Sequence, residues 1–501
     1  MKNCCLLSVL CVVLLLFGAA GAGPAFAEAP QWDADVVVVG GGNAGIPTAI
    51  AAARAGANVI VLEKMPYLGG TLIVSGGQLS AADTKLQIAA GFEDSAAQHY
   101  RDIMEMGDYR ANPRLLKKHT ENAAWTIDWL GELGVDFDRN RPVLMDHHEL
   151  YSVPRSYQPV GGGSKVGEVL IAELNNLADL GLVDIHMETT AVSLVQDDSG
   201  KVIGVKAENA DDEELEFYAP HVVLATGGYG ANRSMLADLH GDIGENALTY
   251  VPDHAQGDGI TMSLEIGAEL VNTDFMVLYP GGIEDPDRPG YPYGPRVNLS
   301  PGFAGDIWVN EDGRRWVNED TSSADEIEIA LLRQPNVTSY VVFDQTVKEA
   351  NDPPIHGWSW EDFEEAAAEG LFAFEGNTVQ ELAENAGIDK DNLAQTIEDY
   401  NHYVEAGWDR AFDRPGIHYT IDEGPFYALQ TKPLIYLTHS GLNVSADLQV
   451  MHEQGTAIPG LYAVGEVIGM GQLMGRSFAG GVGNTAPITL GLMLGEALAG
   501  K

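Results

Sequence analysis

Val36 to Val39 run without polar alternation, the mark of a strand buried on both faces of a parallel sheet. An alanine-rich stretch, Ala44 to Ala55, predicts a helix, and Asn58 to Leu62 predicts a second strand that ends at Glu63. The same buried pattern returns twice. "HVVLATGGYG", His221 to Gly230, reads as a strand ending in glycines, and "GLYAVGEVIG" as a strand ending at Glu466. "GGVGNTAPITLGLMLGEALAG" then supplies a glycine loop and a closing helix. Between these lie helices at 94–106 and 113–133, the second with Asn112 as cap and Pro113 in its first position. Apolar alternation predicts strands at 183–196 and 202–206, and "GDGI", Gly257 to Ile260, opens another helix. Residues 274–437 differ: they are rich in Tyr, Trp, Pro and acidic residues. They predict a strand at Thr338 to Asp344, helices near 360–370, 378–386 and 391–405, and a strand re-entering the first fold before His439. The pattern is α/β, with a second domain inserted at 274–437 between a first part, 33–273, and a last part, 438–501.

Gly40, Gly42 and Gly45 stand in G-x-G-x-x-G spacing between the first strand and its helix. The first glycine makes the tight turn, the second admits a pyrophosphate, and the third lets helix and strand pack closely. The helix start offers free N–H groups and the positive end of its dipole. Glu63 can accept both hydroxyls of an adenosine ribose. Two glycine pairs follow, Gly69-Gly70 and Gly76-Gly77, and let backbone lie against a flat ring or phosphate. A nicotinamide-only domain does not need this second loop; a longer, folded-over dinucleotide does.

Composition narrows the chemistry. Lys2, an apolar run from Leu6 to Phe17 and Ala25-Phe26-Ala27 predict a Sec-type signal peptide over residues 1–27. The run falls short of the ~20 residues of a membrane span. The expected location is periplasmic or cell-surface, with no stable membrane insertion of the mature chain. All three cysteines, Cys4, Cys5 and Cys11, lie in that leader. The mature chain then has no disulfide and no cysteine-ligated cluster or haem. Cleavage removes one lysine and no acid, taking the net charge from −45 to −46. So acidic a surface repels nucleic acid. His147-His148 lacks the spacing of a metal site, and no metal is expected.

The stretches "VVVVGGGNAG", "EKMPYLGGTLIVSGGQLSAA", "VVLATGGYG", "GDGI", "VNEDGRRWVNE" and "GLYAVGEV" together resemble the flavoprotein family of soluble fumarate reductases, urocanate reductase and 3-ketosteroid dehydrogenases. The resemblance implies a Rossmann-like (GR2-type) FAD-binding domain with an inserted α+β capping domain. It implies FAD held by Gly40, Gly42, Gly45, Glu63 and Lys64. Gly69, Gly70, Thr71, Gly76 and Gly77 would lie along pyrophosphate and isoalloxazine. Ala225, Thr226 and Gly227 would border adenine, Asp258 the phosphate–flavin side, Glu466 the ribitol and Gly481 the pyrimidine edge. Thr71 stands in the neighbourhood where membrane-bound relatives attach flavin through histidine, so the FAD is expected to be non-covalent. No second nucleotide fold serves NADH; electrons would come from an external cytochrome or flavinylated carrier.

The chain departs from the family where substrate binds. The reductases' acid, an arginine five residues after the Asn of "VNE", is Ser323 here, and the histidine before a proline is Tyr279. A serine hydroxyl is a poor proton donor unless another group supports it. The remaining donor candidates are Tyr279, His439, Arg296 and Ser323, with Arg476 near flavin or substrate. Tyr279, Tyr291, Tyr293 and Trp308 suit a flat, mostly apolar substrate, with packing in the inserted domain's own core as the other reading of each. Tyr157 in "RSYQPVGGG" is a further, weaker candidate; Arg314 and Arg315 brace a turn. The expected function is reduction of an activated C=C bond in a small, aromatic or ring-containing substrate, as a terminal reductase in anaerobic respiration. Two alternatives stay open: dehydrogenation of a ring ketone such as a 3-ketosteroid, which Ser323 in place of tyrosine opposes, and a non-catalytic flavin-bearing electron carrier.

Overall fold

The four valines form a strand, Val36–Val39, at the centre of a six-stranded sheet. Across the sheet the order is Gln449–Met451, Ala457–Ala463, His221–Leu224, Val36–Val39, Val59–Leu62 and Val183–His186. All neighbours are parallel except the outermost pair at the Gln449–Met451 edge. In this computed structural model the described residues are 31–140, 142–144, 151–293, 304–321, 323–355 and 357–500. The leader, His147-His148 and Arg296 lie outside them.

The helix Gly45–Arg54 returns the chain from the first strand to the second. It packs along the closing helix Val482–Ala499, where small residues let the backbones meet. A Cβ on Gly495 would lie 2.2 Å from the Thr48 carbonyl oxygen. The closing helix is buried on nearly every side, as expected of an apolar sequence without a polar face.

The remaining segment builds most of a second sheet around a ten-residue strand, Phe426–Ile435, which pairs with Ser339–Asp344 and Ala373–Gly376 and, at its end, in parallel with Leu248–Thr249 from the first part of the chain. Ile307–Val309 extends it. Successive side chains alternate between two hydrophobic cores, as strand geometry requires. Trp308, Val341, Phe343, Tyr427 and Leu429 face the helix Trp360–Glu369. Ile307, Val309, Tyr340, Val342 and Ala428 face the helices Val379–Ala386 and Lys390–Ala406. The core of the first fold draws instead on residues between Ala34 and Leu278 and between Ile435 and Leu498. From Trp32 onward these cores belong to one compact unit. Among the described residues no helix is long and apolar enough to cross a membrane.

Candidate functional site

Four strands of the main sheet end at one cleft of about 970 Å3. Gly40 follows Val39, Glu63 follows Leu62, Ala225 follows Leu224, and Gly465 with Glu466 comes after Ala463 and the intervening Val464, and all five line it. A crevice outside the carboxyl ends of parallel strands is where such sheets bind ligands.

The three glycines differ in what constrains them. Gly40 has φ +107°, and a Cβ there would lie 2.4 Å from the Ala225 carbonyl oxygen. A Cβ on Gly45 would lie 1.8 Å from the Gly40 oxygen. At Gly42 the nearest protein atom would be Gly70 Cα at 3.8 Å, so the protein's own packing leaves that position open to a side chain. What Gly42 keeps clear is the cleft.

Glu63, 7 % exposed, accepts Gly41 N–H at 2.7 Å and Met65 N–H at 2.8 Å, one on each carboxyl oxygen. Burial raises its pKa, opposed by those backbone donors. A carboxylate has about four lone-pair sites, so capacity for ribose hydroxyls remains. Lys64 Nζ and Asp258 Oδ2 pair at 2.5 Å and both line the cleft. Glu466 is half-buried, and its Oε1 accepts the Thr438 N–H at 2.8 Å and hydroxyl at 3.0 Å. Burial raises its pKa as well, opposed by the Thr438 bonds. A Cβ on Gly228 would strike this carboxylate at 2.2 Å. Two buried polar atoms of lining residues, Asn43 Oδ1 and Thr226 Oγ1, have no protein partner, and orphans of this kind call for a ligand. Open space beside Gly42, these orphans and the carboxylates of Glu63 and Glu466 fit a dinucleotide with two sugar-like moieties.

Gly70, Thr71, Ala225, Thr226 and Gly227 also line the cleft. Gly69, Gly76, Gly77 and Gly481 stand outside its lining. Gly77 and Gly481 answer to the protein's own backbone: a Cβ would meet Gly163 N at 2.2 Å or Leu79 C at 2.5 Å. Sequence reasoning missed Asn43, the stretch Thr189 to Ala191, and His254, which all line the cleft. Asn43 sits within the glycine motif and was findable; Thr189 to Ala191 belong to no motif.

The proposed catalytic side chains fall into separate groups. Tyr279 begins the strand Tyr279–Gly282, and its ring meets Tyr436 edge-on at 5.4 Å. Tyr436 in turn meets Tyr250 at 4.9 Å, next to cleft-lining Val251. His439 is 1 % exposed. Its Nε2 faces the Ser477 carbonyl at 3.3 Å, its Nδ1 has no partner, and its ring lies 5.8 Å from Phe275. Burial pushes its pKa down to about 4, so the imidazole is neutral at pH 7. Arg476 and Arg110 both lie over Phe275, at 5.4 and 5.1 Å from the ring centre. Phe275 thus joins His439 to Arg476.

Ser323 stands at the start of a helix that packs on the Tyr279–Gly282 strand. It caps the helix Ala324–Leu331, with Oγ accepting Glu326 N–H at 3.0 Å. Trp308 is buried in the inserted segment's core, its Nε1 donating to Asp306 Oδ2 at 2.8 Å. Tyr291 lies against the Arg288 guanidinium, and Tyr293 against Trp358 and Phe372. Of the four aromatics grouped by sequence, Tyr279 alone joins the Tyr250–Tyr436 set. Tyr157 is fully buried and bonded to Thr84 at 2.6 Å. Arg315 makes two bonds to Glu319, at 2.7 and 2.6 Å, and one to Asp409 at 2.8 Å, all buried. Its role extends past bracing a turn. No cluster of three or more metal-type ligands occurs among the described residues.

Comparison with known proteins agrees with this geometry. Residues 35–482 match the protein family described as FAD binding domain. The chain is 33% identical to urocanate reductase of Eggerthella lenta over 89% of its own length and 72% of that protein's. It is 32% identical to a probable fumarate reductase of Shewanella frigidimarina, over 89% and 71%. Among solved structures, the open conformation of a flavocytochrome c3 fumarate reductase matches with a TM-score of 0.70 and 30% identity, covering 94% of this chain and 79% of that one.

Proposed function

We propose a substrate class and an electron route from one premise: the chain belongs to the FAD-binding flavoprotein family and is an FAD-dependent oxidoreductase. Our reading is reduction of an activated C=C bond in a small substrate that carries a ring, such as an aryl enoate or enone. The observation that carries it is the Tyr250–Tyr279–Tyr436 set at the edge of the cofactor cleft. Packed tyrosines present flat apolar faces with a hydroxyl at one end, which suits a ring better than a second carboxylate.

FAD, when bound, supplies hydride chemistry at its N5. The chain supplies the rest. Tyr279 is the proton donor in this reading, a hydroxyl in the aromatic wall. Arg476 faces the activating carbonyl or carboxylate, where a cation stabilises charge that develops during reduction. His439, neutral and buried, holds the Ser477 carbonyl and so orients the neighbouring Arg476. Ser323 gives its oxygen to helix capping and takes no part. The FAD is non-covalent, because Thr71 and not histidine stands beside Gly70. The leader over 1–27 exports the protein, and an external cytochrome or flavinylated carrier feeds it.

Product analysis tests the reading. Holoprotein reduced by dithionite under argon in D2O is given cinnamate-type acids, cyclic enones, fumarate and 3-ketosteroids. We expect a saturated, deuterated product from a ring-bearing alkene and little turnover of fumarate. Fumarate as the preferred substrate overturns the ring assignment. Consumption of a saturated ring ketone by oxidised protein reverses the direction.

A further inference from the structure

Behind the cofactor cleft lies a buried polar cluster that no step above uses. Tyr151 is 3 % exposed, and its hydroxyl donates to the Gly480 carbonyl at 2.7 Å. Arg155, fully buried, places its guanidinium 5.0 Å from the Tyr151 ring centre. Asp94 and Asp102 hold that guanidinium at 2.8 and 2.7 Å. The His99 ring meets Tyr151 edge-on at 5.3 Å, and His119 meets His99 at 5.9 Å. The phenol is therefore fixed in direction by an ion pair and an imidazole, each packed against the ring.

Gly480 leads into the start of the closing helix Val482–Ala499, whose Gly483 and Pro487 line the cleft. This turn is anchored from the same side at two further points. Ser80 N–H donates to Thr485 Oγ1 at 2.8 Å, and Asn484 Nδ2 donates to the Gln78 carbonyl at 3.0 Å. Gly481 has φ +80°, and a Cβ there would lie 2.6 Å from Ser80 N. With Gly481 pressed against that backbone, the orientation of Gly480 sets where the helix begins. A helix start carries N–H groups without intrahelical acceptors and partial positive charge.

We propose that Tyr151 is a positioning residue: by holding the Gly480 carbonyl in the buried cluster, it aims the start of the closing helix at the bound FAD and so favours the reduced, more negative cofactor. Arg155 acts one step further back, by fixing the Tyr151 ring. The inference rests on the FAD assignment and is independent of which alkene is reduced.

The test is Tyr151→Phe in the holoprotein. The readouts are the two-electron potential against a reference dye, the visible flavin spectrum and the melting temperature. The variant is expected to fold and keep its FAD. The reduced cofactor should lose about tenfold in binding relative to the oxidised, which for two electrons is a fall of about 30 mV, with a shifted flavin absorption band. An unchanged potential and spectrum in folded, FAD-loaded variant overturn the proposal. Should Tyr151→Phe fail to fold or to load FAD, 3-fluorotyrosine placed at 151 decides, since it keeps the shape and makes a more acidic hydroxyl. A raised potential supports the positioning role; the wild-type potential overturns it.

Discussion

The cofactor cleft and the inserted segment use polar groups in opposite ways. In the cleft, Glu63 and Glu466 bond to backbone N–H groups, Asp258 pairs with Lys64, and the ligand's space is set by glycines. In the inserted segment, charges pair with one another: buried Arg315 with Glu319 and Asp409, and buried Arg414 with Asp306, Glu319 and the half-buried Asp320. The first arrangement leaves capacity for a ligand; the second joins its charges in ion pairs, with Arg315 Nη1 left without a hydrogen-bond partner. The contrast teaches that the cofactor cleft is shaped by glycine backbone and a few polar side chains at strand ends, whereas our proposed substrate wall is built from side chains brought together from distant parts of the chain.

Acid should separate the two regions most strongly. Burial pushes the His119 pKa down to about 3 and that of His439 to about 4, and lowers that of His99 well below its ordinary value. A lowered imidazole pKa means the unfolded chain binds more protons, so stability is present above about pH 6.5 and is lost as pH falls through the folded values. Each such imidazole contributes about 1.4 kcal/mol per pH unit in that window. Glu63 and Glu466, raised by burial, offset part of this. In the inserted segment the Asp306 carboxyl is pushed up to about 6 by burial. It favours the fold below its ordinary pKa and loses that contribution as pH rises through about 6. Hydrogen exchange between pH 6.5 and 4 should therefore show the main sheet loosening first. Earlier loss of the inserted sheet would break the comparison.

Next in size is Arg315→Ala, which leaves Asp409 buried without its cation and Glu319 with Arg414 alone, at 3.5 Å. Breaking a buried pair in this way costs about 3–5 kcal/mol. Thermal melting should fall sharply, with the inserted sheet exchanging first. A melt within a degree of wild type would mean the network is solvated. Tyr279→Phe should leave the melt and FAD content unchanged while turnover of the ring-bearing alkene drops about 100-fold, the low end for loss of a general acid. Unchanged turnover would remove Tyr279 from the reaction. The smallest effect is the sharpest. Gly42→Ala should fold with wild-type apo stability yet bind FAD about tenfold less tightly, about 1.4 kcal/mol. Equal FAD affinity, read by fluorescence titration, would show that Gly42 faces no cofactor.

The same contrast decides what was legible in the sequence. Val36 to Val39, the three glycines, Glu63 and Glu466 are local signals: a buried strand, a turn that must be tight and an acid at a strand end all leave marks within a few residues. The helices near 360–370, 378–386 and 391–405 were equally plain and lie at Trp360–Glu369, Val379–Ala386 and Lys390–Ala406. Ser323 was read through family position as a place for an acid. Yet Ser323 and Glu326 carry the S-x-x-E helix-start pattern, and capping is what the serine does here. Trp308 was open between a substrate wall and core packing, and alternation along Ile307–Val309 turns it into the core. The Tyr250–Tyr279–Tyr436 set and the Tyr151–Gly480 bond could not be read in advance, because each joins elements far apart in the chain through tertiary packing.

The central claim is that reduced FAD in this cleft gives hydride to a ring-bearing alkene. Stopped-flow reoxidation of the photoreduced, anaerobic holoprotein tests it most directly. Cinnamate-type acids or cyclic enones should restore the oxidised flavin band in a saturable, single-turnover phase, with fumarate slower. Reoxidation by dyes or redox proteins alone, with every alkene inert, would contradict the account.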